Sequence, residues 1–360
     1  MLTVADIVDQ LEDIAPPDLA DEGDKIGLQV GDPSAEVRKI CVAVDTSVAV
    51  VNSAIEHGAQ MLVTHHPLIY TPLQAMTTTD PVARRVMKLV QSGTAHFAMH
   101  TNYDTVPGGI NDVLAAKLGV VGCEPLTTRH SDHLHKIVVF VPEEAVEQVR
   151  NAMADAGAGV IGQYTHCSFR TEGTGSFVPL PAAQPYVGRA GKLEEVAEYR
   201  LEMVCIGSWL DYVVSAMLEA HPYDEVAYDI YRLANEPVKY GYGRVGKLEE
   251  PMSLHDYSER VRGALDLDYV KVSGERDKTI ERVAFCGGGG SSLYKEAAAA
   301  GADVYVTGDT KHHDILDAGA VGLAMIDATH FATEKPGMVA LVERLTKTLT
   351  GSGVEVEYVE

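Results

Sequence analysis

Apolar positions in residues 1–126 form two patterns that alternate along the chain. Continuous apolar runs, as in KICVAVDTS and AQMLVTHH, are typical of strands buried on both faces. Apolar residues three and four positions apart, as in VAVVNSAIEHG and DPVARRVMKLVQSG, are typical of helices with one buried face. Because such strands and helices alternate, the pattern predicts a mainly parallel sheet covered by helices on both faces.

Residues 243–360 repeat this order of elements. IERVAFC and ADVYVTGD predict strands, and LYKEAAAAG predicts the helix between them. GAQMLVTHH (58–66) and GADVYVTGD (301–309) share Gly, Ala, Val and Thr at the same offsets. Further along, AMHTNYD (98–104) aligns with AMIDATH (324–330). The repetition indicates two related lobes.

The middle of the chain, residues 127–242, has a different order. A strand (HKIVVFVP) and a helix (EEAVEQVRNAMADAG) precede further strands, a second helix (DYVVSAMLEAHP) and a last strand (EVAYDIYRL). A β-α-β-β-α-β order of this kind indicates a ferredoxin-like sandwich. We therefore predict an α/β fold whose two lobes, residues 1–126 and 243–360, are interrupted by an inserted α+β domain.

Charge and composition exclude several classes of function. The 29 basic and 52 acidic residues give a net charge of −23, which argues against general nucleic-acid binding and against binding to anionic membranes. No apolar run is long enough to span a bilayer, and the acidic N-terminal segment does not have the pattern of a signal peptide. The five widely spaced cysteines contain no CxxC pair and indicate no disulfide framework. We expect a cytoplasmic protein.

Potential metal ligands follow predicted strands in three places. The pairs are His65 with His66, His100 with Asp104, and His330 with Glu334. In α/β sheets ligands bind at the carboxyl ends of strands, and imidazole and carboxylate are common metal ligands. The four-residue spacing of His330 and Glu334 places both on one face if a helix begins there. Together the three clusters predict one composite metal site.

The adjacent histidines indicate two ions rather than one. Neighbouring residues in an extended segment point to opposite sides, so His65 and His66 are more easily assigned to separate ions. A carboxylate such as Glu334 could bridge these ions. Nitrogen and oxygen ligands suit divalent Zn, Fe or Mn, among which the sequence does not choose.

Several stretches resemble one known family. They are DKIGLQVGD, LVTHHPLIY, HTNYDTVPGGIND, TGDTKHHDILDA and DATHFATEKPGM, and they lie in both lobes. These stretches are similar to those of the Nif-three-like dinuclear-metal proteins, labelled GTP cyclohydrolase 1 type 2 homologues. The insert, with HPYDEVAYDIYRL, resembles the PII-type and CutA-type module of the longer family members.

The resemblance implies a ligand set and an assembly. The positions that match the family's ligands for two divalent ions are His65, His66, Asp104, His330 and Glu334, with Glu334 as the bridge. The family also implies a ring-shaped homohexamer whose metal sites face an interior cavity. One departure is visible, because Gly23-Asp24-Lys25 stands where members often have Trp-Asp-Asn.

Other polar residues near these clusters have two interpretations each. Asp45 either caps the following helix, which we favour, or lies near the ions. His100 ligates metal, contacts substrate or packs, and Asn102 is expected to hydrogen-bond beside the site. The glycines of CGGGGSS either hold a phosphate or form a tight turn, and the turn is the favoured interpretation.

A second histidine pair mirrors His65 and His66 in the later lobe. Asp309, His312 and His313 either begin a solvated helix or contact substrate and support the ligands. We take His100, His312 and His313 as candidate catalytic residues, acting as proton carriers or substrate contacts.

Two functions are compatible with these residues. The first is a metal-dependent hydrolase, in which metal-activated water attacks a purine nucleotide such as GTP. The alternative is a non-catalytic metal carrier, or a regulatory protein that binds a nucleotide or cofactor. Whether the protein is an enzyme therefore stays open at the level of sequence.

Overall fold

Strands and helices alternate along most of the chain in the structure, a computed structural model that describes residues 1–162 and 164–360. The strands are β1 Gly27–Val30, β2 Lys39–Ala43, β3 Met61–Thr64, β4 Ala95–Ala98, β5 Val120–Pro125, β6 His130–Asp132, β7 Leu134–Pro142, β8 Ser168–Phe177, β9 Glu194–Ile206, β10 Tyr228–Arg232, β11 Val238–Tyr240, β12 Arg244–Ser253, β13 Lys271–Ser273, β14 Thr279–Phe285, β15 Val304–Thr307, β16 Ala324–Asp327 and β17 Glu355–Tyr358. The helices are α1 Val4–Ile14, α2 Val48–Glu56, α3 Pro81–Ser92, α4 Thr101–Thr105, α5 Ile110–Leu118, α6 Val146–Asp155, α7 Leu210–Ala220, α8 Leu254–Ala264, α9 Tyr294–Ala299, α10 His312–Ala320 and α11 His330–Thr348.

These elements form two compact units. One unit combines Met1–His130 with Tyr240–Glu360, and the other is Ser131–Lys239. The larger unit is a mixed α/β structure whose two sheets are flanked by helices, as the alternating pattern predicts. Among the described residues, no helix combines the length and the apolar character that crossing a bilayer requires.

The first sheet has the strand order β1-β4-β3-β2-β17. Strands β4, β3, β2 and β17 run parallel, and β1 pairs antiparallel with β4. Every residue of β3 is buried, which accounts for its continuous apolar sequence. The helix that leads back from this strand is α3, which Asp80 caps by accepting hydrogen bonds from Val82 and Ala83.

The second sheet has the strand order β13-β16-β15-β14-β12-β5. Strands β14, β15 and β16 run parallel, and β13 pairs antiparallel with β16 as β1 does with β4. The two segments that echo each other in sequence contain β3 and β15. Strand β3 lies between its parallel neighbours β4 and β2, as β15 lies between β14 and β16. The prediction of mainly parallel pairing is wrong for this sheet, because the β13, β12 and β5 pairings are all antiparallel. Hydrophobic patterning indicates which residues are buried, but it does not indicate whether neighbouring strands run parallel or antiparallel.

The two lobes exchange elements. Strand β17 completes the first sheet, whereas β5 belongs to the second. The helices follow the strands, because Met338 and Leu341 of α11 lie in the core of the first sheet and Leu114 of α5 lies in the core of the second. The sequence pattern did not indicate this exchange. Because of this exchange, residues of the later segment lie next to the ends of the first-sheet strands.

The inserted unit has the element order β7-α6-β8-β9-α7-β10, the β-α-β-β-α-β order of a ferredoxin-like sandwich. Its sheet is antiparallel throughout, with the strand order β10-β7-β9-β8. Val149 of α6 and Val213 of α7 are buried with Ile137 and Met203 of the sheet. The short strands β6 and β11 form a separate two-stranded sheet.

Candidate metal centre

The paired histidines lie in a bend that directly follows β3. The amide of His65 donates to the carbonyl of Ala43 at 3.2 Å, and the amide of His66 donates to that of Val44 at 2.9 Å. The expectation that the two side chains point to opposite sides is wrong, because the backbone bends here and the ring centroids lie only 5.0 Å apart. The ring of His65 is fully buried, whereas the side chain of His66 remains 24% exposed.

His65 has a defined tautomer. Its Nδ1 lies 2.8 Å from the carbonyl oxygen of Met99, which accepts only, so Nδ1 carries the proton. This leaves Nε2 directed at two carboxylates, 3.7 Å from Asp104 Oδ1 and 3.6 Å from Glu334 Oε1. The backbone directly after β4 thus orients an imidazole nitrogen toward acidic oxygens.

His66 and His330 are each held by a carboxylate behind the ring. His66 Nδ1 lies 2.8 Å from Asp45 Oδ1, and His330 Nδ1 lies 2.7 Å from Asp309 Oδ2. The two Nε2 atoms face each other at 3.2 Å. The favoured interpretation of Asp45 as a helix cap is wrong, because the residue that caps α2 is Ser47.

Glu334 lies at the centre of the cluster. Its Oε1 is 3.0 Å from His330 Nε2, one turn earlier on α11, and its Oε2 is 3.4 Å from His66 Nε2. The residue is 3% exposed. One carboxylate therefore contacts three imidazoles that come from both lobes.

The start of α11 is shaped by unusual backbone geometry. Thr329, which caps the helix, has φ 61° and ψ 151°, a region that side chains disfavour. The amide of Thr329 donates to the buried carboxylate of Asp327 at 3.0 Å, which holds this conformation. A Cβ on Gly308 would collide with the backbone of His330, so only glycine allows the end of β15 to approach this helix. These features fix the position of His330.

The glycine run after β14 also approaches the cluster. The amide of Gly287 donates to Asn111, that of Gly288 to Thr333 and that of Gly290 to Thr307. These amides are satisfied by protein side chains, as expected for a tight turn. Gly288 has φ +67°, and a Cβ there would collide with Glu334 Oε1. The turn lets the backbone pass beside the carboxylate.

His100 lies beside the paired histidines. Its ring centroid is 5.2 Å from that of His65 and 5.6 Å from that of His66. Its Nδ1 is hydrogen-bonded to Asp24 at 2.9 Å, so the other ring nitrogen, Nε2, does not take part in this hydrogen bond. Asp24 is the middle residue of Gly23-Asp24-Lys25 and the one that does not depart from Trp-Asp-Asn, so this loop supports the site.

Asn102 does not hydrogen-bond to the cluster as the sequence led us to expect, and Asn111 has a role that the sequence did not indicate. Asn102 donates its amide to the carbonyl of Ala15 at 2.7 Å, so this hydrogen bond ties α4 to the end of α1. Asn111 instead connects the two lobes, donating to the carbonyl of Asp104 at 2.9 Å and accepting from the amide of Gly287. Its position in GGIND gave no signal beyond its nearness to Asp104.

The charges of the cluster shift the pKa values of its members. Burial alone would raise the pKa of Glu334, but the nearby imidazoles of His65, His330 and His66 hold it well below its usual range. Burial disfavours the charged ring of His66, but its contacts with the carboxylates of Asp45 and Glu334 outweigh burial and raise its pKa to about 10. The hydrogen bond to Glu334 raises the pKa of His330 to about 9. Burial raises the pKa of Asp104 to about 6.

The arrangement fits a metal ion. Three buried atoms aimed into the cluster have no hydrogen-bond partner among the described residues, namely His65 Nε2, Asp104 Oδ1 and Glu334 Oε2. Two groups of three donor residues have ligand atoms within 4.8 Å of one another: His65, His66 and His100, and His66, His330 and Glu334. Hydrogen bonds at the opposite ring nitrogens orient histidine ligands in known metal sites, as they do the rings here. These histidine and glutamate groups could bind a metal ion.

The other predicted histidines lie outside these groups. His312 and His313 begin α10 and are exposed. Their ring centroids lie 5.6 Å apart. Asp309, three residues before His312, is the part of this stretch that contacts the cluster, through His330.

A sequence profile of Duf34/NIF3 (NGG1p interacting factor 3) matches residues 2–360. The chain belongs to the Duf34/NIF3 family. Over 344 residues it is 41% identical to the GTP cyclohydrolase 1 type 2 homolog of Bacillus subtilis (strain 168), covering 96% of this chain and 91% of that protein. The homolog of Halalkalibacterium halodurans is 38% identical over 98% of this chain and 95% of its own length. The crystal structure of a Bacillus cereus protein related to NIF3 matches with a TM-score of 0.86 and 39% identity, over 100% of this chain and 97% of that one.

The family resemblance indicated by the five sequence stretches is thereby confirmed. Within this Duf34/NIF3 chain, the stretches supply the clustered residues that follow β3, those of α4 and α11, and the loop at Asp24. The carboxylates behind the rings, Asp45 and Asp309, lie just after β2 and β15. The position of each at a strand end was the signal available in the sequence.

Proposed function

We propose that this Duf34/NIF3 chain holds two divalent metal ions and is a metal-dependent hydrolase. The proposal rests on the position of Glu334, whose two carboxylate oxygens face different imidazole nitrogens. One ion would be held by His65, Asp104 and Glu334, and the other by His66, His330 and Glu334. Zinc, iron and manganese all suit these nitrogen and oxygen donors.

The chain's own residues would prepare the site for hydrolysis. When bound, two ions supply Lewis acidity, lowering the pKa of water and polarising the bond that water attacks. Asp45, Asp309 and the carbonyl of Met99 fix the tautomers of the ligand rings by holding each Nδ1. His100, held by Asp24 and adjacent to His65, is placed to carry a proton.

The substrate we propose is a purine nucleotide, and GTP is the first to test. Its support is the name of the similar proteins, GTP cyclohydrolase 1 type 2 homolog. We retain His312 and His313 as substrate contacts or proton carriers, since they follow Asp309 closely in the chain. Attack by water on the purine ring would then release formate after a second hydrolysis.

The burial of the site is equally compatible with the alternative, a non-catalytic metal carrier or a regulatory protein that binds a nucleotide or cofactor. His65 and Glu334 are almost fully enclosed, at 0% and 3% exposure. Enclosed ligands suit the retention of a metal ion as well as they suit catalysis. The two functions differ in whether the loaded protein converts a substrate.

Further features of the sequence-based prediction belong to the same proposal. We propose that residues 1–126 and 243–360 form the metal-binding domain around the insert 127–242. The element order supports the assignment of the insert to the PII-type and CutA-type modules.

The five free cysteines support a reducing compartment such as the cytoplasm. Assembly into a homohexamer is part of the proposal and is tested by the mass of the purified protein in solution.

The deciding experiment measures metals per chain and turnover on the same sample. The purified protein is incubated with GTP and a panel of phosphoesters, with and without prior removal of metal by a chelator. We expect formate release from GTP only by the metal-loaded protein. Absence of turnover on every substrate by a fully loaded protein would reject the hydrolase, whereas reversible release of metal without turnover would support the carrier.

Variants test the ligands separately from activity. His65→Ala and His330→Ala should each lose metal, whereas His57→Ala, which replaces an exposed histidine bonded to Ser53, should remain fully loaded. Full occupancy in both ligand variants would reject the assignment. Circular dichroism of each variant distinguishes ligand loss from unfolding.

A further inference from the structure

The inserted unit contains a cavity of its own, with a volume of about 840 Å³. Strands β8 and β9 form one wall, and the segments around Tyr186 and Tyr223 form the other. Sites for small molecules have volumes of roughly 300 to 1,000 Å³, so the cavity is large enough for an organic ligand. Nothing in the proposed metal chemistry uses this cavity.

Four aromatic side chains are among the residues that line the cavity. The rings of Tyr186 and Tyr223 lie 5.8 Å apart at 42°, and His221 packs against Tyr223 at 4.9 Å. Phe140 and Phe177 also line the cavity. The faces of such rings carry partial negative charge and attract cations as well as apolar groups.

The charged residues of the cavity are mostly acidic. The carboxylates are those of Glu172, Glu198, Asp224 and Glu225, and the guanidinium is that of Arg200. Arg200 is already neutralised by Glu202, with Nε and Oε1 at 2.9 Å. Among the described residues of the insert, the ion pairs involve other carboxylates and leave Glu198, Asp224 and Glu225 without a basic partner. The cavity therefore has an excess of negative charge.

Glu198 is held in a fixed position within the wall. Its Oε1 accepts a hydrogen bond from the hydroxyl of Tyr223 at 2.9 Å. Its Oε2 lies directly over the backbone of Gly175, where any Cβ would collide with it. A glycine on β8 thus makes room for a carboxylate that is tied to an aromatic ring.

We infer that this cavity binds an organic cation, an ammonium group carried on an aromatic or aliphatic body. The ammonium group would lie beside Glu198 and the tyrosine faces, and the body would contact Phe140, Phe177 and the apolar residues of the loop after β8. Carboxylate and aromatic face together recognise such cations, whereas an anion of the same shape would be repelled.

The test compares two probes with the same ring system and opposite charge. Tryptamine carries an ammonium group on indole, and indole-3-propionate carries a carboxylate. Both are titrated into the full chain by ligand-observed NMR. We expect saturable binding of tryptamine and binding of the anion weaker by about tenfold or more. Equal binding of the two probes, or no binding of tryptamine, would overturn the inference.

Variants locate the binding. Glu198→Gln removes one lining charge and should weaken tryptamine binding about tenfold. Glu195→Gln makes the same change on the same strand at an exposed position outside the cavity and should leave binding unchanged. If Glu198→Gln fails to fold, Glu225→Gln makes the same test at an exposed lining position. Unchanged affinity in the lining variants would place tryptamine elsewhere and reject the inference.

Discussion

Asp24 and His100 are hydrogen-bonded at 2.9 Å although 76 residues separate them in the chain. Thr101 donates to the same carboxylate through both its amide and its hydroxyl. Burial favours the protonated acid, but the hydrogen bonds from His100 and Thr101 hold the pKa of Asp24 well below its usual range. The carboxylate therefore fixes His100 beside His65.

Asp24→Asn tests this positioning role. The amide oxygen still accepts from Thr101, but it does not hold the imidazole with a charge. If the protein is the proposed hydrolase, we expect the kcat of hydrolysis to fall by about 10-fold to 100-fold with metal content unchanged, because orienting residues behind a site have effects of this size. Asp18→Asn, in an exposed position of the same segment, is the matched control. A fall in metal content instead would make His100 a ligand.

Replacing Glu334 and replacing Asp104 should remove different numbers of ions. If Glu334 bridges, Glu334→Gln weakens both ions, whereas Asp104→Asn weakens the ion shared with His65 only. We expect elemental analysis to give nearly no metal for Glu334→Gln and about half of the wild-type content for Asp104→Asn. Equal losses in the two variants would contradict the bridging arrangement.

Gly288→Ala should disturb the site through a steric clash. The new Cβ would collide with Glu334 Oε1 at a residue whose φ is +67°. Gly322→Ala is the control, because Gly322 has φ +77° and nothing within 4 Å of the added Cβ. Both variants should lose about 1–2 kcal/mol of unfolding free energy from backbone strain. Loss of metal should occur in Gly288→Ala alone, and equal metal content in both variants would refute the steric explanation.

The buried ring of His96 should make the protein sensitive to acid. Burial and, to a smaller extent, the charge of Arg85 lower the pKa of His96 from 6.5 to about 3. Between these values the unfolded chain binds a proton that the folded protein excludes. Its contribution to stability is therefore present above pH 6.5 and is lost as the pH falls, by about 1.4 kcal/mol per pH unit.

The measurement is the unfolding free energy of wild type and His96→Gln from pH 7 to pH 4, with a chelator present to remove any contribution from bound metal. The two curves should converge as the pH falls, because glutamine does not titrate. Parallel curves would show that His96 is not the group responsible. The baseline cost of the substitution, which replaces a ring bonded to Thr64, is constant with pH.

Much of the candidate site could be predicted from local sequence because its side chains follow buried strands. Residues at strand ends share one edge of a sheet, and this brought His65, His66 and Asp104 together in the prediction. The contribution of Asp24 could not be predicted, because a loop contact across 76 residues has no local pattern. Asn102 was expected beside the site, but its amide is used by Ala15.

The fold, like the candidate site, could be predicted only in part from local sequence. The repeated segments predicted two α/β lobes, since apolar periodicity reports the buried face of each element. Periodicity does not report which strand lies next to which, so neither the antiparallel pairing of β12 nor the exchange of β5 and β17 was foreseen.

The exchange of β17 and α11 has a consequence for synthesis on the ribosome. The first sheet obtains its strand next to β2, and part of its core, from residues that emerge after the entire insert has been made. Residues 1–126 alone would expose the β2 edge and the apolar surface that Leu341 and Leu345 cover. The insert is a continuous segment and can fold while it emerges, whereas the rest must wait for the last helix and strand. Metal binding at the proposed site would therefore require synthesis of α11, which carries His330 and Glu334.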